Sequence, residues 1–371
     1  MHKFMELMMI ALLGSFGSGV WWRLYADSWF YTVVIGYTAI GLIYLLVFGQ
    51  LAQTAHATYV EPSLVVFLGL MPLVAILFDL GRIIYRFNSR RMLAFKRTFS
   101  SARIAALASG LMLMVAVTLF QGTFTSIKIS FANLQGGFPY DRYLADLDRF
   151  LHFGSAPWRY LYAFAEVPTV RTIIELNYNM FWHLICFGSL FFVATSPRAD
   201  RVRAHYLAMF LFVWTILGNV LAALFLSAGP AFYGGVTGDE ARYAVMLAFL
   251  AQSDGVSSAA GVQGHLWELY QCGQPGIGGG ISAFPSVHVG LITMNACFLA
   301  AYSRWLGAVA FVYVGFVLAS SVYLGWHCAV DGYASIIIVT LSYYLSKRLF
   351  LRQAAGARSS VACNPSAVAA A

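Results

Sequence analysis

The sequence predicts an all-α integral membrane protein with about eight transmembrane helices, and three observations predict it. First, 60% of the residues are hydrophobic and only 10% are charged, far from the balance of a soluble domain. Second, the apolar residues form long runs. A hydrocarbon core about 30 Å thick takes roughly 20 mostly apolar residues per helix, and eight such runs fit into 371 residues. Third, the basic residues sit in short segments between those runs, a placement that sets membrane orientation.

Taken in order, the chain opens with Lys3 and an apolar run over residues 5–22. This run has the size of a signal-peptide core but no small-residue cleavage site, so it is expected to be retained. It either lies along the interface or makes a further span, with Gly14, Gly17 and Gly19 weakening it as a helix. The eight spans are expected over residues 29–51, 63–80, 104–121, 172–195, 205–227, 286–302, 308–325 and 329–346. Between the second and third lie Arg82, Arg86, Arg90, Arg91, Lys96, Arg97 and Arg103, the densest positive cluster, which marks the cytoplasmic side. Alternation then puts Arg198, Arg201, Arg203, Arg304, Lys347, Arg348 and Arg352 on that same side. Residues 122–171 and 228–285 become long outer loops, and loops of that length tend to carry function. Within the first, Tyr140, Leu144, Leu147 and Leu151 recur at helical spacing against Asp141, Asp146, Asp148 and Arg149. This pattern predicts a short amphipathic surface helix, its acids forming a solvated face or holding a polyol headgroup. The alanine-rich end, residues 351–371, is expected to be a disordered tail. The compact loops suggest a bacterial inner membrane, with the long loops on the periplasmic face.

A formal net charge of +8 does not point to nucleic acid here, because the cations are interleaved with apolar spans. Cys186, Cys272, Cys297, Cys328 and Cys363 show no CxxC pair and no metal-like spacing. Cys272 and Cys328 share the expected outer side, so a disulfide between them stays open.

Two segments put polar and ionisable groups at the outer ends of apolar helices, where such groups are costly and tend to be functional. The first runs Gly278-Gly279-Gly280-Ile281-Ser282-Ala283-Phe284-Pro285-Ser286-Val287-His288, and the second Ser320-Ser321-Val322-Tyr323-Leu324-Gly325-Trp326-His327-Cys328-Ala329-Val330-Asp331. A short inner turn over residues 303–307 makes the sixth and seventh spans antiparallel neighbours. His288 and His327 are therefore expected at one depth. His327 and Asp331 are four residues apart, which on one helical turn sets the carboxylate against the imidazole. This is base-plus-orienter logic, leaving the second ring nitrogen of His327 to attack phosphorus and His288 to protonate the departing oxygen. Pro285-Ser286 starts a helix whose N-terminus suits a phosphate, with Gly280 permitting close backbone approach.

These segments resemble the second and third signatures of the type 2 phosphatidic acid phosphatase (PAP2) superfamily, in particular its inositolphosphotransferase-like branch, which includes the inositol phosphorylceramide synthases. The resemblance covers roughly residues 120–346. It implies a six-helix core, no cofactor, no metal, and a phosphohistidine at His327 supported by Asp331, with His288 as general acid and base. It also divides the chain into N-terminal membrane helices with a basic loop (1–103), a PAP2-like catalytic membrane domain (104–350) and the tail. The superfamily's first signature, a lysine six residues before Arg-Pro, is absent: the corresponding place reads Ser227-Ala228-Gly229-Pro230-Ala231-Phe232-Tyr233. Ser321 stands where an arginine is usual, and Val287 where a glycine is usual. Fewer cations suit a phosphodiester, bound through amides, Ser286, Gly280, Ser321 and the hydroxyls of Tyr233 or Tyr323.

The expected activity is transfer of a phospho-headgroup, such as inositol phosphate, from a phospholipid donor to a lipid or glycan acceptor, with Trp267 and Tyr270 as lid candidates. Three rivals stand beside it. They are a lipid phosphate phosphatase using water, a two-histidine-one-carboxylate metal site, and a transporter with a polar histidine path. His183 and His205 read as hydrogen-bonded core histidines, and Asp79 and Glu175 as interfacial. The oligomeric state is left open.

Overall fold

The computed structural model describes residue 14, residues 16–87 and residues 89–363, with side chains through 350. Among these residues it is all helix, with no strand. Among the described residues seven helices are long and apolar enough to cross a membrane, and an eighth apolar helix is shorter. The N-terminal run falls partly outside the described residues, which are helical over 16–26.

The elements that matter below are α1 (Ser28–Val47), α2 (Leu51–Arg86), α3 (Ser101–Gln135), α4 (Asp141–Leu151), α5 (Pro157–Ala165), α6 (Pro168–Thr195) and α7 (Pro197–Leu224). They continue with α8 (Ala244–Leu250), α9 (Ala259–Cys272), α10 (Val287–Tyr302), α11 (Arg304–Tyr323) and α12 (Ala329–Cys363). The spans α2, α6 and α7 each pass through a π-helical stretch. The expected spans are all present, and several helices run past the expected ends, α2 over Leu51–Arg86 and α12 over Ala329–Cys363 among them. Helix α3 was expected to stop at residue 121 but continues to Gln135, where Gly136 takes the left-handed conformation (φ 69°) that ends it. The reason is sidedness: Gln121, Thr123, Thr125, Ser126 and Ser130 look polar in sequence yet are buried against the N-terminal helices. His56 Nε2 meets Thr123 Oγ1 at 3.0 Å, and Tyr59 meets Thr125 at 2.7 Å.

Opposite ends of the bundle carry different chemistry. At the end with the basic cluster, Arg203 and Asp27 form a buried ion pair at 2.6 Å, Arg23 pairs with Asp200 at 2.9 Å, and Arg103 with Asp79 at 3.3 Å. A buried pair of this kind is costly to break from one side, so it fixes the N-terminal segment onto α7. The other end holds α4, α5, α8, α9 and the start of α10 and α12. Helices α10 and α11 pack together along their length as the antiparallel hairpin that the short turn requires.

The predicted surface helix α4 exists, but its buried face is not the one the pattern suggested. Asp141, Leu144, Ala145 and Asp148 point inward, and Leu151 is exposed. Asp141 accepts hydrogen bonds from the amides of Ala228 (2.8 Å) and Gly229 (2.9 Å), and Asp148 from the amide of Val330 (3.0 Å). Only Asp146 of the acidic trio faces outward, paired with Arg242 at 2.7 Å. The two carboxylates are fasteners between loops, satisfied by backbone donors instead of water. Cys186, Cys272, Cys297 and Cys328 are free thiols.

Candidate active site

Two helix starts and one helix end build the site. Ser286 stands at the N-cap of α10 in an extended conformation, and its hydroxyl accepts from the Val289 amide at 3.3 Å. This is the favoured chemistry for starting a helix, and it sets His288 in the first turn. Helix α11 ends where Gly325 (φ 74°) allows the chain to reverse. The amide of Gly325 donates to Val322 (3.1 Å) and that of Trp326 to Ser321 (3.0 Å), the paired bonds of a Schellman end. Two residues later α12 begins. Asp331 sits in its first turn and accepts from the amide of Cys328 at 3.0 Å, so it caps α12 in the manner of a capping box. A serine hydroxyl, a glycine and an aspartate thus place three functional groups by local rules alone.

The result is a facing pair of imidazoles. The His288 and His327 rings lie 6.4 Å apart, centre to centre. His327 Nδ1 is 3.4 Å from Asp331 Oδ2, close enough for an ion pair but off-line for a hydrogen bond, since Nδ1 and Asp331 Oδ1 are both buried without a hydrogen-bond partner. His327 Nε2 meets no protein acceptor or donor among the described residues. His327 and Asp331 are 7% and 1% exposed, so the carboxylate is sealed behind the ring. The Ser286 amide donates to the Asp331 carbonyl at 3.3 Å and ties the two segments directly.

An aromatic wall backs His288. Tyr178 stacks on its ring at 4.6 Å and 13°, and Trp182 lies at 4.1 Å. Trp182 Nε1 also donates to the His288 carbonyl at 3.0 Å, while His183 stands edge-on at 6.4 Å. On the loop side, Asp141, Ser227, Gly229, Pro230, Tyr233, Tyr243, Cys328 and Asp331 are among the residues that line a tightly packed cleft. Burial, partly offset by their backbone hydrogen bonds and reinforced by the charge of Asp331, pushes the carboxyls of Asp141 and Asp148 up to about 6. Burial also pushes up the Cys328 thiol and the Tyr243 phenol, which face each other.

The residues singled out from sequence divide into three groups. His288, His327, Asp331 and Ser286 come together. Tyr233 shares the loop-side cleft with Asp331, its hydroxyl accepting from Arg242 at 3.2 Å. The others serve the frame. Tyr323 donates to the Ala165 carbonyl at 2.7 Å and faces α5. Ser321 donates to Leu318 at 2.7 Å, and its carbonyl supports the turn that presents His327. Gly280 (φ 80°) is where the loop crosses α3, with no room for a Cβ against residues 128 and 129. Trp267, the lid candidate, stacks on Phe232 at 5.7 Å. Glu175 accepts from the Ala259 amide at 3.0 Å. Sequence reasoning missed Tyr178 and Trp182 as a wall, and left His183 as an ordinary core residue. The available signal was the one-turn spacing of Glu175, Tyr178 and Trp182 on α6, which places them on one face.

The arrangement does not converge as a metal site: among the described residues no three or more His, Cys, Asp or Glu side chains are placed to hold an ion. It presents an imidazole backed by a carboxylate and a second imidazole facing it at 6.4 Å, groups chemically able to serve nucleophilic and proton-transfer steps. Against known families, the model described as the PAP2 superfamily matches residues 142–345. No curated protein and no solved structure matches the chain.

Proposed function

The chain belongs to the PAP2 superfamily, and from that premise we propose that it is a phosphotransferase moving a phospho-headgroup from a phospholipid to a lipid or glycan acceptor through a phosphohistidine. Members of the superfamily are typically phosphoesterases or phosphotransferases, so the chain is an enzyme of that general kind. The observation that carries the finer reading is the facing of His288 and His327 at 6.4 Å with Asp331 behind one of them.

His327 Nε2 attacks the phosphorus of the donor diester, forming an N–P bond as the bond to the diacylglycerol oxygen breaks. His288 gives that oxygen its proton. Asp331 orients the ring and offsets the positive charge that develops on it. The acceptor hydroxyl then loses its proton to His288 and attacks the same phosphorus, which restores His327 and joins the phospho-headgroup to the acceptor. Support for a diester comes from residues 227–233, which offer neither the lysine nor the arginine of the superfamily's first signature. Support for a lipid comes from a groove of about 250 Å³ lined by Tyr44, Ile127, Phe131, Leu134, Val220 and Ala223 with their neighbours, between α1, α3 and α7. The positive cluster at the opposite end of the bundle supports an outer-face site, and a bacterial inner membrane remains the proposed setting.

The test uses purified full-length protein and a phospholipid labelled in its headgroup phosphate. After an alkaline quench, acid-labile label on the protein that disappears in His327→Ala is the expected result. Adding lipid or glycan alcohols should divert label from water to the acceptor. Release of free phosphate from monoesters, with no action on diesters, would favour the phosphatase reading over the transferase.

A further inference from the structure

One cation beside the site takes no part in the steps above. Lys128 lies on α3, half-buried, and its ammonium makes no hydrogen bond or ion pair with any described residue. A cation left so in an apolar bundle is costly unless an anion joins it.

Its position follows from two close approaches. A Cβ built on Gly218 would stand 2.6 Å from Phe124 Cε2 and 3.0 Å from Val287 Cγ2, so α3 at Phe124 and the first residue of α10 flank the same spot. Lys128 is four residues further along α3, on the same face and one turn nearer the loop end. A Cβ on Gly280 would stand 2.8 Å from the Lys128 carbonyl carbon and 3.0 Å from its Cγ. The lysine therefore sits between the glycine loop and the N-terminus of α10, and its charge reaches His288. At that terminus Ser286 occupies only the Val289 amide, while the amides of Val287 and His288 have no intrahelical acceptor.

We propose that Lys128 is a substrate-binding residue whose ammonium holds a nonbridging oxygen of the phosphoryl group, in place of the lysine and arginine missing from residues 227–233. The assignment rests on the proposed function and sharpens its substrate class. One ammonium matches the single negative charge of a phosphodiester and leaves a phosphomonoester dianion half compensated.

The experiment measures binding of a short-chain diester phospholipid by calorimetry, using full-length His327→Ala protein so that turnover does not interfere. Adding Lys128→Met should weaken binding tenfold or more, whereas Lys128→Arg should stay within threefold of the parent. Lys128→Gln serves if the methionine variant does not fold, and each variant should melt within a few degrees of its parent. Unchanged binding in Lys128→Met or Lys128→Gln overturns the assignment, as does a parent that binds no diester. Separately, turnover surviving in His327→Ala would remove the phosphohistidine reading while the Lys128 comparison still decides its own question.

Discussion

Two helix N-termini meet at this site and are finished in opposite ways. At the start of α12, Asp331 accepts from the Cys328 amide and Asp148 from the Val330 amide, both at 3.0 Å. At the start of α10, a neutral hydroxyl, Ser286, takes the Val289 amide and no carboxylate takes the rest. Each terminus presents the positive end of a helix dipole. The first is already filled with the protein's own anions and holds His327 beside them. The second leaves the Val287 and His288 amides without an intrahelical acceptor and its partial positive charge uncompensated by a carboxylate among the described residues, an end suited to an anion, with Lys128 alongside. Under the proposed mechanism the difference separates two tasks: carboxylates would position the nucleophile, while amides and a cation would receive the phosphoryl group. Placing both sets on one terminus would neutralise the substrate pocket.

The comparison predicts effects of very different size. His327→Ala removes the proposed attacking nitrogen, so kcat should fall by about 10⁴-fold or more with the fold intact. Activity within tenfold of the parent would place the nucleophile elsewhere. Ser286→Asp makes the α10 terminus resemble that of α12. Aspartate is as good a cap as serine and favours the dipole, but Ser286 is fully buried, so desolvation of the new carboxylate should lower the melting temperature somewhat. The new charge repels the phosphoryl group, and kcat/KM should drop by about 10²-fold, equivalent to roughly 3 kcal/mol of lost transition-state binding. Unchanged kcat/KM would show that the open terminus receives no anion. Asp148→Ala acts on the other side of the comparison, by leaving the Val330 amide without its acceptor. The expected cost is about 1–3 kcal/mol of stability, seen as a lower melting temperature, with Asp148→Asn losing much less because its carbonyl still accepts.

The sequence carried the parts of this design that follow local rules. The spans, the α10–α11 hairpin and the pairing of His288 with His327 and Asp331 all come from hydrophobic length, a short turn and i, i+4 spacing. Missing from it were groups whose meaning depends on a distant neighbour. Lys128 looked like part of an outer loop, because the polar residues 121–130 broke the apolar run. Nothing local reveals that Thr123 and Thr125 bond to His56 and Tyr59 of α2 and keep the helix going. Asp141 and Asp148 looked like a solvated face for a related reason. Their partners are backbone amides at residues 228, 229 and 330, and amides leave no mark in a residue pattern. Tyr178 and Trp182 carry no local mark of the packing between α6 and α10 that sets them against the His288 ring.

The smallest effect separates the two termini by pH. Asp148 is raised from 3.8 to about 6, chiefly by burial, with the Val330 amide and His152 acting against that rise and Asp331 adding to it. Asp141, buried beside Ala228 and Gly229, behaves alike. An unfolded chain releases these protons near 3.8, whereas the folded protein releases them only near 6. The folded state therefore binds more protons across that window, and the stabilisation they give is complete below about 4 and lost as pH rises through about 6. Melting temperature measured from pH 4.5 to 7 should carry a downward contribution with rising pH, and Asp148→Asn, which cannot ionise but still accepts from Val330, should remove its share and leave that of Asp141. His152 lies 3.8 Å from Asp148, so His152→Gln is the control that removes the neighbouring imidazole. Ser286→Ala should leave the slope alone, because the α10 terminus is capped by a group with no charge to titrate. If Asp148→Asn kept the full slope, the carboxylates at the α12 terminus would not be the groups holding protons there.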